Sequence, residues 1–180
     1  MQFVEWMEAG MIYAWKSNNG RTAMRRAIVI AILGLWISVP AASAASYMAR
    51  DHLVVDLRHG IEWLRCSVGQ VWNGSACTGQ IVLLDHDQIA QIILQANEQL
   101  GGSWRLPSRE ELEGLVCESC TGPMIDSEMF PGTSGEPYWT GQVNGMAKRF
   151  YFSVNFLNGW TYGRFLPTKQ LAVRLVRDRR

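Results

Sequence analysis

Charge is scarce in this sequence. Asp, Glu, Lys and Arg make up 18% of its 180 residues, against roughly 25% in an ordinary soluble chain. The 17 basic and 16 acidic side chains leave a formal net charge of +1. No basic stripe is present to displace phosphate counterions, so nucleic acid is excluded as a partner. Histidine is scarcer still. His52, His59 and His86 stand alone, without the paired spacing of a zinc site, so no metal is expected. A Ser/His/Asp arrangement, a Gly-rich phosphate loop and a His-x-x-x-His pair are all missing. No catalytic residue and no cofactor follow from the sequence, and the chain reads as a non-enzyme. Internal repeats, collagen-like tracts, heptads and low-complexity segments are also absent. No apolar run reaches the roughly 20 residues of a spanning helix.

What is present near the N-terminus is a short export pattern. Arg25 and Arg26 precede a 13-residue apolar run, Ala27 to Val39, followed by Pro40 and the small residues Ala41 to Ala44. A basic head, an apolar run and a small-residue site are what a signal peptidase reads. Residues 24–44 are therefore expected to be a signal peptide starting at Met24, with 1–23 an upstream extension and 45–51 a short N-terminal segment of the exported part. The rival expectation keeps residues 25–44 uncleaved as the membrane anchor of an accessory subunit in a larger complex. Export places the rest of the chain in the periplasm or outside the cell, where thiols oxidise.

All four cysteines lie in that exported part. Cys66 and Cys77 flank a segment with Gly69, Asn73 and Gly74 as turn residues, and Cys117 and Cys120 flank a tight loop. Local geometry favours pairing each with its neighbour. A Cys-x-x-Cys pair can also do redox chemistry, which makes Cys117 and Cys120 the residues of an alternative enzymatic reading.

Hydrophobic periodicity predicts strands over 52–57 and 61–65. A helix is capped by Asp85 or Asp87 and runs to about Leu100, its buried stripe formed by Ile89, Ile92, Ile93, Ala96 and Leu100. The run Ile81 to Leu84 is a further strand or the entry to that helix. Ser108 and Glu111 form a capping box for a second, short helix whose inward face is Leu112, Leu115 and Val116. Residues 117–137 form a long loop, a feature often tied to function. Strands follow at Tyr138 to Thr140 and Arg149 to Phe156, and Asn158-Gly159 signals a hairpin to Trp160–Tyr162. Leu171 to Arg177 alternates as a final half-buried strand. Arg174, Arg177, Arg179 and Arg180 read as a solvated basic tail. Helices in the middle and antiparallel strands at both ends predict an α+β domain, its termini meeting in one sheet.

These landmarks occur in one order: Gly60-Ile-Glu-Trp63, Arg65-Cys66, Gly69-Gln-Val-Trp72, Cys77-Thr-Gly79, Trp104-Arg-Leu-Pro-Ser-Arg-Glu-Glu-Leu112, Ile125-Asp126, Phe130-Pro131, Tyr138-Trp139-Thr140, Val154-Asn-Phe156, Asn158-Gly159 and Val173-Arg-Leu-Val-Arg177. In this the chain resembles the Lcl C-terminal domain family over roughly residues 52–178. The resemblance implies a fold similar to C-type lectins and formylglycine-generating enzymes, with two short helices packed on antiparallel sheet. It also implies an adhesin-like binding module for sulfated or other polyanionic glycans. Leu175 stands where the family often has Cys, and the collagen-like repeats of its named adhesin are missing. Glu136-Pro137 is similar to part of a lectin calcium motif, but its partner residues are not in the sequence.

Aromatic faces stack on sugar rings, so Trp160, Tyr162, Trp139 and Tyr138 are the candidate ligand-binding residues. Core packing is the competing reading for Trp139. Trp104, Arg105, Pro107, Ser108 and Glu111 read as a structural motif, with Arg105 paired to a buried carboxylate such as Asp126 or Glu111. The expected partner is a glycan or another protein.

Overall fold

The computed structural model describes residues 46–179. The expectations for the signal peptide, the upstream extension and a membrane anchor lie outside these residues. Strand β1 (Tyr47–Arg50) falls where only a short N-terminal segment is expected, and pairs antiparallel with β2 (Leu53–Asp56). Next come β3 (Ile61–Leu64), β4 (Gln70–Trp72) and β5 (Cys77–Gly79). Helix α1 is His86–Leu100 and α2 is Arg109–Glu113. The chain closes with β6 (Pro137–Val143), β7 (Tyr151–Asn155), β8 (Thr161–Phe165) and β9 (Val176–Asp178). Three antiparallel sheets result, with orders β1-β2-β3-β9, β4-β5 and β6-β7-β8. The architecture is α+β, and the first sheet joins both ends of the domain.

Local chemistry explains most boundaries. Asp85 caps α1, accepting from the Gln88 amide at 2.9 Å, while Gln88 Oε1 accepts from the Asp85 amide at 3.1 Å. Ser108 and Glu111 do the same for α2, at 3.1 and 2.7 Å. Both boxes satisfy amides that a helix start leaves orphaned. Run 81–84 turns out to be neither strand nor helix. It is extended coil that touches the C-terminal segment through a bridge between Leu84 and Leu171.

The expected half-buried strand at 171–177 is corrected. Residues 171–176 are buried without alternation, and only Val176–Asp178 pairs as a strand. The reason is that the segment threads between layers and is covered on both faces. Leu64 and Val68 donate to Leu175 and Val173, Trp139 donates to Ala172, and Arg105 bridges Val176. One core cluster, around Trp63, Phe130, Tyr138 and Phe156, lies on one side of this seam. A second gathers Leu84, Ile89, Trp104, Trp139, Val173 and Leu175. The buried stripe of α1 is also narrower than expected. Ile89 and Ala96 are buried, Ile92 and Ile93 only in part, and Leu100 is 46% exposed.

The expected solvated basic tail is corrected at Arg174 and Arg177, whereas Arg179 is exposed and Arg180 lies outside the described residues. Arg174 has no exposed surface. Arg177 pairs with Glu62, directly opposite it across β3 and β9, at 2.7 Å. Arg is rarely buried without a carboxylate partner, so the sequence alone points to solvent for both.

A groove beside the Cys66–Cys77 hairpin

Disulfides join Cys66 to Cys77 and Cys117 to Cys120. The first bond staples the β4–β5 hairpin to the end of β3. At the hairpin's base Gly69 has φ +93°, and a Cβ there would lie 2.4 Å from the Gln80 carbonyl oxygen. Only glycine allows that approach. The hairpin is thereby held facing α1, and a groove of about 720 Å³ opens between them. Its floor is apolar, from Leu64, Val68, Ile92, Ala96 and Leu175. Trp72 and Val71 form the hairpin wall, Gln95, Gln99 and Leu100 the helix wall, and Asp51 and His52 close one end. The exposure of Leu100 and the partial burial of Ile92 follow from this opening.

The polar groups of the groove differ in how committed they are. Gln70 accepts from the Ser67 amide and donates to the Gly132 carbonyl. Asn73 Oδ1 accepts from Ser75 and Ala76, turning the hairpin tip. Gln95 and Gln99 are exposed and carry no side-chain hydrogen bond among the described residues. His52 lies 3.1 Å from the Asp51 carboxylate. That hydrogen bond is the main reason the Asp51 carboxyl sits below its usual range, with a smaller contribution from Trp72. The Arg65 guanidinium stacks 4.0 Å over the Trp72 ring.

The residues expected to bind ligand are elsewhere. Tyr138 and Trp139 have no exposed surface. Tyr138 hydrogen-bonds Ser67 at 2.8 Å, and the Trp139 indole donates to the Leu84 carbonyl at 2.9 Å. Neither ring presents a face to solvent: the competing core reading describes Trp139, and Tyr138 is a core residue as well. Trp160 is 67% exposed on the β7–β8 turn. Tyr162 is half-buried, and its hydroxyl accepts from Asn158 at 3.0 Å. None of the four lines the groove. Trp72 was visible in the sequence as a landmark between two cysteines, and Gln95 and Gln99 as a one-turn repeat on the polar side of α1. Neither signal stands out before the hairpin and helix are brought together.

Trp104 is buried beneath the Arg177 guanidinium at 4.6 Å. Arg105 holds Glu111 through two hydrogen bonds of 2.8 Å. Its other carboxylate is Asp178 at 2.7 Å, not Asp126, because Asp126 turns its own loop by accepting from Glu128 and Met129. The long loop 117–137 is well anchored by this turn and by Phe130, which is buried in the core. Asp56 and His59, 2.8 Å apart, form an Asp/His pair outside the groove. The Asp56 carboxylate also accepts the Arg58 and His59 amides, so the pair closes the β2–β3 turn.

Comparison with known families decides the affiliation. The model of the Lcl C-terminal domain matches residues 52–177. The chain belongs to the Lcl C-terminal domain family. No curated protein and no solved structure matches it. The matched span holds both disulfides, both capping boxes and every residue of the groove except Asp51.

Proposed function

We propose that this protein is a secreted or periplasmic, non-catalytic, adhesin-like binding module of lectin-like fold that takes a glycan in the Trp72 groove. The groove carries this reading. Its volume falls within the roughly 300–1,000 Å³ of small-molecule sites, and it joins an aromatic wall, an apolar floor and a rim of amides. Aromatic faces bind the C–H faces of sugars, and amides match hydroxyls because both donate and accept. Two disulfides in one domain support an oxidising compartment. A glycan array with wild type, Trp72→Ala and Trp160→Ala tests the reading. Wild type and Trp160→Ala are expected to bind, with signal lost in Trp72→Ala. Loss confined to Trp160→Ala would move the site to the β7–β8 turn, and a blank array for wild type would end the glycan reading.

Redox chemistry at Cys117 and Cys120 is the second reading. One observation favours it: both cysteines are half-buried rather than enclosed. A thiol count after mild reduction separates the two. Two resistant disulfides fit the binding module, whereas selective opening of Cys117–Cys120 supports the redox reading.

A further inference from the structure

The charge around the groove bears on the class of glycan. Among the described residues no Lys or Arg lines it, and the full charge on its wall is the Asp51 carboxylate. The Arg65 guanidinium does not line the groove but stays a cation beside it. Its three nitrogens donate to the backbone carbonyls of Met129 at 3.2 Å, Glu128 at 2.6 Å and Asp51 at 3.4 Å, while its plane covers a face of Trp72. A sulfate or carboxylate entering the groove would meet a like charge at Asp51 and no Lys or Arg among the lining residues. Such a group would find no ion pair in the lining to offset its desolvation.

The groups that are uncommitted are neutral. Gln95 and Gln99 stand one turn apart on α1, exposed and without side-chain partners among the described residues. Each offers one carbonyl acceptor and one NH₂ donor. Residues four apart on a helix lie on the same face, so the two amides meet neighbouring hydroxyls of one ring. Asp51 accepts from a further hydroxyl without needing a cation. Trp72 supplies the apolar contact across the groove.

We infer that the groove takes an uncharged, hydroxyl-rich glycan, not the polyanionic one that the family resemblance implies. This rests on the groove being the ligand site. The test is retention of the full chain on immobilised starch, galactomannan, xylan and chitin, and on immobilised heparin, at low and high ionic strength. Wild type is expected to be retained by at least one neutral polysaccharide, with no loss at high salt, and not by heparin. Gln95→Ala/Gln99→Ala is expected to weaken that retention roughly tenfold or more, as two lost hydrogen bonds imply. Both side chains are exposed, and an unchanged circular dichroism spectrum verifies the fold of the variant.

Retention on heparin alone, abolished by salt and by Trp72→Ala, would overturn the uncharged class while keeping the groove as the site. Neutral-polysaccharide retention that survives both Trp72→Ala and Gln95→Ala/Gln99→Ala would instead overturn the groove. No retention on any of the five supports would overturn the inferred ligand class.

Discussion

Arg174 gives the sharpest test of how this fold is held together. Its guanidinium is fully buried, and among the described residues no carboxylate pairs with it. Burial pushes its pKa down, opposed by the nearby Tyr138 hydroxyl. Its two terminal nitrogens donate to the Leu64 and Arg65 carbonyls, to Ser67 Oγ at 3.2 Å and to Thr133 Oγ1 at 2.7 Å, while the buried Nε has no partner among the described residues. The group also lies 4.9 Å from the Phe130 ring. It therefore ties the end of β3 to the loop that carries Phe130. Arg174→Met keeps similar length but leaves two part-buried carbonyls and two buried hydroxyls without their charged donor, at about 1–3 kcal/mol each for the groups that water does not reach. Relief of the buried charge offsets part of this. The net expectation is a loss of about 3 kcal/mol, a large share of the 5–15 kcal/mol typical of a domain. Urea unfolding at neutral pH measures it, and hydrogen exchange should show residues 130–134 opening first. Arg174→Lys should fall between wild type and Met, since an ammonium keeps the charge but not the planar fork. An Arg174→Met variant as stable as wild type would refute the reasoning, because the cation would then be a net cost and not a hub.

Three further outcomes are expected. Gly69→Ala should destabilise by roughly 3 kcal/mol in the same unfolding assay, since φ +93° and a 2.4 Å approach to the Gln80 carbonyl both forbid a Cβ. Cys66→Ala/Cys77→Ala should lose about 3 kcal/mol from opening a loop of this length, and should weaken glycan-array binding because the groove wall is freed. Glu111 has its carboxyl held below the usual range: burial works against its charge, but hydrogen bonds from Arg105 and Ser108 prevail. Its contribution is therefore present above the ordinary carboxylate range and is lost as pH falls through the lowered value. Glu111→Gln should cost about 1 kcal/mol at neutral pH and flatten the loss of stability on acidification, as urea midpoints across that range would register.

Features governed by neighbours in sequence are legible without the fold. Asp85 and Ser108 cap their helices through side chains three residues away, and the cysteines pair within short loops. The turn after β7 needed only Asn158-Gly159. Features governed by tertiary enclosure were not. Leu171 to Val176 reads as alternating because its pattern does not reveal that layers cover both faces. Arg174 reads as solvated because nothing nearby in sequence supplies its acceptors, which come from residues 64–67 and 133. Tyr138 and Trp139 look available for a ligand beside a long loop, yet that loop folds Phe130 inward and the seam at Ala172 closes over them. The groove was hidden for the same reason: its walls are 20 to 30 residues apart in sequence and meet only because Gly69 and the Cys66–Cys77 bond turn the hairpin toward α1.

Whether that groove is the ligand site is decided most directly by nuclear magnetic resonance. An isotope-labelled sample would be titrated with an oligosaccharide cut from the polysaccharide that retains the protein. The Trp72 indole N–H and the side-chain amides of Gln95, Gln99 and Asn73 should shift together and saturate, while the Trp160 indole stays in place. Saturating shifts at Trp160, Asn158 and Tyr162, with the groove signals unmoved, would contradict the account.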